Sequence, residues 1–82
     1  MAEEFHDQVA IVTGAARGLG AAIAGQLAGR GARTILVDID EGAVRARAEA
    51  LREAGHDAVS HAMDLTEERQ VATLRALIDH PY

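Results

Sequence analysis

Val9-Ala10-Ile11-Val12-Thr13-Gly14-Ala15-Ala16-Arg17-Gly18-Leu19-Gly20 is the stretch on which the reading of this chain turns. Its first five residues form a continuous apolar run rich in β-branched side chains, the composition of a strand covered on both faces. Leu19, Ile23 and Leu27 then recur at helical spacing until Gly29 and Gly31 break the pattern, so a helix follows the glycines. At such a junction Gly14 permits a tight turn, Gly18 lets the backbone approach an anionic group, and Gly20 allows close packing of helix on strand. The N–H groups of Gly18, Leu19 and Gly20 would lie at the helix end, where the dipole favours negative charge. Glycines also simply end strands and helices; their place between a strand and a helix is what favours a phosphate-binding turn.

Downstream the alternation repeats. Thr34-Ile35-Leu36-Val37-Asp38 reads as a second buried strand, and Asp40 offers an N-cap with Glu41 against the positive helix end. Val44, Ala48 and Leu51 line the inner face of that second helix, which Gly55 can end. Ala58 to Met63 reads more weakly as a third strand, because Ser60 and His61 interrupt the apolar run. Thr66 can cap a third helix with Glu67 and Glu68 in its first turn, Val71, Leu74 and Ile78 on its apolar face, and Pro81 past its end. The expected architecture is therefore α/β: three parallel strands in spatial order 3-2-1, alternating with three helices through right-handed crossovers. A single small domain spans residues 1–82, short for a chain that must bury both faces of a parallel sheet.

Two carboxylates fall where ligands bind in open α/β sheets, at the carboxyl edge of the strands. Asp38 ends the second strand about 20 residues past the glycine turn, the spacing expected of an acid that accepts the ribose hydroxyls of an adenosine. Its bland role, capping the next helix, is already supplied by Asp40. Asp64 follows the third strand and can accept from an adenine amino group, or can begin the cap of the third helix. Two unit charges about 4 Å apart cost roughly 4 kcal/mol at an effective dielectric of ~20, so Asp38 disfavours a 2′-phosphate and favours NAD over NADP. Arg17 argues the other way, since a guanidinium pairs well with a phosphate; as a solvated loop charge it carries no such meaning.

Composition removes other classes. The apolar fraction is 49 %, spread in short runs with nothing near the roughly 20 residues of a membrane span. The net charge is -5, which disfavours nucleic acid and anionic membrane as partners. The first eight residues are polar and acidic, unlike a secretory signal, and the chain has no cysteine, both of which suit a cytoplasmic protein. His56 and His61 lack the further ligands a metal would need. Arg45, Arg47, Glu49, Arg52 and Glu53 read as the solvated face of the second helix.

Val9 to Asp64 resembles the opening of a short-chain dehydrogenase/reductase. The resemblance rests on Val12-Thr13-Gly14-Ala15-Ala16-Arg17-Gly18-Leu19-Gly20, then Val37-Asp38, then Met63-Asp64-Leu65-Thr66. It implies the N-terminal half of a Rossmann fold that binds a dinucleotide, with Gly14, Arg17, Gly18, Leu19 and Gly20 around the pyrophosphate and its ribose. Asp38 and the Ile39 backbone would hold the adenosine, and Asp64 and Leu65 would flank the adenine. Members of this family continue with an Asn-Asn-Ala-Gly strand and a catalytic Ser and Tyr-x-x-x-Lys. This chain has no Asn and no Lys, Ser60 lies in the third strand, and Tyr82 is the last residue. The expected function is the nucleotide-binding portion of an NAD(P)-dependent oxidoreductase acting on an alcohol or carbonyl, inactive as this chain alone because it stops before the catalytic half. Two alternatives are a non-catalytic adenine-nucleotide-binding or assembly module and a methyltransferase-type domain, although the glycine spacing disfavours the latter. The first strand would have a bare apolar edge, to be covered by the missing C-terminal part of the fold or by a second copy.

Overall fold

The structure, a computed structural model, describes residues 5–64. Its elements alternate as β1 (Val9–Thr13), α1 (Gly18–Gly29), β2 (Arg33–Asp38), α2 (Glu41–Glu53) and β3 (Ala58–Ala62). All strand pairs are parallel and the order is β1-β2-β3, the expected 3-2-1 read from the other side. Thr13 lies beside Val37 and Asp38 beside Ala62, so the carboxyl ends of the three strands finish at one edge. The third helix, with its cap at Thr66, and Leu65 lie outside the described residues.

Alternation along the strands divides the core in two. Val12, Leu36 and Ala58 pack with Ala24 of α1 and with Val44 and Ala48 of α2, placing both helices on one face. Ile35 and Val37 pack with Met63, Ile11 and Val59 on the other. Residues Thr34 to Val37 of β2 are all buried, as a central strand requires. β1 departs from the fully covered strand its sequence suggests. It is an edge, and Val9 keeps 42 % of its surface exposed while Val12 is buried.

The helices differ in how they meet the sheet. In α2 the expected face is the real one: Val44 and Ala48 are buried and Leu51 packs against them. In α1 the row Leu19, Ile23, Leu27 does not form the buried face. Leu19 and Ile23 are 77 % and 43 % exposed, while Ala24 and Ala28 are buried and only Leu27 of that row joins the core. The cause is at Gly20, where an added Cβ would stand 2.0 Å from the Gly14 carbonyl oxygen. A helix drawn that close to the chain has room for alanine on its inner side and turns its larger residues outward.

Candidate functional site

The Gly14–Arg17 turn is anchored at both ends and packed from below. Ala15 and Ala16 are buried in the core under the helices, and the Ala15 N–H donates to the Val37 carbonyl at 3.1 Å. Gly14 and Gly18 have φ values of 65° and 61°, the left-handed region that is costly for residues with a Cβ. Nothing lies within 4 Å of a Cβ built on Gly18, so the space above its backbone is open. Together these residues form a cradle that a side chain would fill.

At the start of α1 the helix has no cap of its own. Arg17 is the N-cap residue, its side chain makes no capping hydrogen bond, and no acid occupies the first turn. The first N–H groups of an α-helix have no partner within the helix and sit at its positive end. They begin at Gly18, the residue around which the space is open.

Asp38 stands against this turn. Its Oδ2 accepts the Ala16 N–H and its Oδ1 accepts the Asp40 N–H, each at 3.0 Å. The N–H groups of Asp40, then Ala16, then Ile39, with the charge of Arg17, hold its carboxyl below the usual carboxylate range against the opposing effect of partial burial. An ionised carboxylate has about four lone-pair sites, so capacity for a further donor remains beside these N–H groups. The acid and the glycine turn, which the sequence presents as separate signals, thus form one constellation.

Two contacts here, and one at the amino end of β3, have no signal in the local sequence. Arg17 Nη2 pairs with Asp40 Oδ2. Asp40 also keeps its expected role, accepting the Ala43 N–H at 3.1 Å through Oδ1. Arg47 Nε donates to the Ala16 carbonyl at 3.2 Å, and Arg52 Nη1 donates to the Ala58 carbonyl at 2.8 Å. All five α2 residues read as a solvated face are exposed; Arg47 and Arg52 reach backbone carbonyls from it, and Arg45 meets Glu41 at 3.9 Å. The Arg17 and Arg47 bonds depend on which segments the sheet register brings together, whereas Arg52 reaches a carbonyl only six residues along the chain.

Ile39 is 69 % exposed beside Asp38. Past β3 the ladder continues, since the Met63 N–H donates to the Asp38 carbonyl at 3.0 Å, so Asp64 emerges half-buried at the same edge. A depression of about 340 Å³ bordered by His6, Asp7, Gly31, Arg33 and Asp57 lies at the opposite, amino edge. Arg33 there meets Asp57 at 2.8 Å and His6 meets Asp7 at 3.4 Å. Among the described residues no three His, Asp or Glu side chains are placed to hold a metal ion, and no helix is long and apolar enough to cross a membrane.

Comparison with known proteins agrees with the fold. Over 74 residues the chain is 51 % identical to a cis-4-hydroxycyclohexanecarboxylate dehydrogenase of Sinomonas cyclohexanicum, covering 90 % of this chain and 29 % of that protein. A metagenomic short-chain oxidoreductase solved in complex with NADP superposes with a TM-score of 0.85 at 41 % identity, covering 95 % of this chain and 36 % of the other. A short chain dehydrogenase/reductase from Burkholderia phymatum, solved in complex with NAD, superposes with a TM-score of 0.84 at 37 % identity, covering 89 % and 26 %. The chain thus spans about a third or less of the length of each of these proteins. The family model for short chain dehydrogenases matches residues 8–81, nearly the whole sequence, and this chain belongs to that family.

Proposed function

We propose that this chain is the adenosine- and pyrophosphate-binding portion of an NAD-dependent oxidoreductase that oxidises an alcohol or reduces a carbonyl. One observation carries the reading: the Asp38 carboxylate accepts the N–H of Ala16, inside the glycine turn. A carboxylate that takes ribose hydroxyls and a turn that leads into a helix end suited to a pyrophosphate are thereby joined by a hydrogen bond between the segments that follow two neighbouring strands. Gly14, Gly18, Leu19 and Gly20 form the phosphate turn, with Arg17 at its rim. Asp38 receives the ribose hydroxyls, Ile39 lines the adenosine, and Asp64 and Leu65 flank the adenine. The nicotinamide end supplies hydride transfer when bound; this chain contributes binding and orientation. Catalytic residues are assigned to none of its positions, and the 82-residue chain is proposed to bind without turnover. The lack of cysteine suits a cytoplasmic setting. The β1 edge is proposed to pair with further polypeptide of the fold or with a second copy.

Isothermal titration of the chain with NAD, NADP and S-adenosylmethionine tests this. NAD should bind tightest, and Asp38→Ala should weaken it about tenfold or more, since hydrogen bonds to a charged group contribute about 1.5–3 kcal/mol. The same change should relax discrimination against NADP. Tighter binding of S-adenosylmethionine, or an unaltered NAD affinity in Asp38→Ala, would remove the assignment.

A further inference from the structure

We propose that Asp40 is a second determinant of cofactor choice: it holds the Arg17 guanidinium in an ion pair beside α2 and so withholds it from a 2′-phosphate. The inference rests on the site binding a dinucleotide, and it concerns a pairing that neither residue's neighbours in sequence announce.

Arg17 is the N-cap residue of α1 and the cation of the glycine turn. Its planar fork of donors is suited to phosphate, and its charge is felt at Asp38, which receives the ribose in the proposed site. Placed there without a competitor, Arg17 would offset the repulsion that Asp38 exerts on a 2′-phosphate. The structure shows the competitor in place, since Arg17 Nη2 is bonded to Asp40 Oδ2.

Asp40 divides its carboxylate between two tasks, with Oδ1 on the Ala43 N–H and Oδ2 on Arg17. Asparagine at this position retains an oxygen for the cap, where Asn and Asp serve equally. It presents a neutral amide where Oδ2 stood, and an NH₂ group has nothing to offer a guanidinium. Asp40→Asn therefore separates the cap from the ion pair. The pair is open to solvent, with the Arg17 side chain 71 % and the Asp40 side chain 46 % exposed. Its hold is correspondingly modest, and its release should change selection by about two- to fivefold.

Two effects of removing Asp40 must be told apart: release of Arg17, and loss of one negative charge near the phosphate. The probes are adenosine 5′-monophosphate and adenosine 2′,5′-bisphosphate, titrated into the whole chain at low salt, with the ratio of their dissociation constants as the readout. That ratio is insensitive to a loss of stability that weakens both ligands alike. Asp40→Asn should move it about two- to fivefold toward the bisphosphate, and the gain should vanish in Arg17→Gln/Asp40→Asn. An unchanged ratio in Asp40→Asn, or a gain that survives without Arg17, overturns the proposal while leaving nucleotide binding intact. If the unmutated chain binds neither probe and does not bind NAD, the nucleotide site itself falls, and this inference with it. Asp40→Ser, another neutral cap, repeats the measurement should the Asn variant fail to fold.

Discussion

The two strand–helix junctions among the described residues lie at the same edge of the sheet and furnish their helix ends in opposite ways. At the β2–α2 junction the positive helix end is filled by the chain's own acids: Asp40 accepts the Ala43 N–H and Glu41 occupies the first turn. At the β1–α1 junction there is no side-chain cap and no acid in the first turn, and the open Gly18 backbone begins the helix. An unfilled cap costs a helix about 1 kcal/mol. In the proposed site an anion is received as much because the protein's own carboxylate is withheld as because donors are supplied. Asp38, the acid nearest the turn, is directed to Ala16 and Asp40 and not to the first turn of α1.

The largest expected effect is at Gly20, where the β1–α1 junction depends on contact that α2 does not need. Gly20→Ala would place a methyl group 2.0 Å from the Gly14 oxygen, and backbone must move to admit it. A loss of about 3 kcal/mol or more is expected in urea unfolding. Gly25→Ala, in the same helix with nothing within 4 Å of the new Cβ, should instead stabilise by about 0.5–1 kcal/mol. Equal effects at the two positions would mean that close approach is not what shapes the junction.

A smaller effect should follow from making the two junctions alike. Arg17→Ser gives α1 the cap it lacks, and should stabilise the chain by about 0.5–1 kcal/mol while weakening NAD several-fold, because the new oxygen occupies an N–H that the pyrophosphate needs. A gain in stability with no loss of binding would break the proposed link between the open helix end and the ligand.

The smallest effect is on acid stability. The Asp38 carboxyl is held below its ordinary value in the folded chain, so its contribution is complete above the unfolded value and is lost as pH falls through the folded one. The stability advantage of the unmutated chain over Asp38→Asn should therefore narrow as pH falls through the ordinary carboxylate range of about 4 and on through the lower folded value. An advantage that is constant across this range would mean that the N–H groups of Ala16 and Asp40 do not favour the charged form.

Much of the fold is legible locally. The run Thr34 to Val37 announces a central strand, and Asp40 announces the start of α2, whose buried row of Val44 and Ala48 follows from spacing alone. α1 carries a single polar side chain, Gln26, so its sequence barely declares which side faces inward. The apparent row Leu19 and Ile23 is exposed because close packing at Gly20 selects Ala24 and Ala28 for the sheet. The site divides in the same way, with its glycines and acid visible as types and spacings and their joining invisible.

The alternation of strands and helices, the cap of α2, the glycines of the turn and the acid at the end of β2 can be read from the residues in order along the chain. These follow from residue preferences and from relations within a helical turn or along a strand, which physical chemistry confines to near neighbours. That Ala16 donates to Asp38, Arg17 pairs with Asp40 and Arg47 reaches the Ala16 carbonyl, across 22, 23 and 31 residues of chain, follows from the folded arrangement alone. Contacts of that range exist because parallel pairing in one register brings separate loops to a common edge, and no property of either residue alone specifies the partner it meets there.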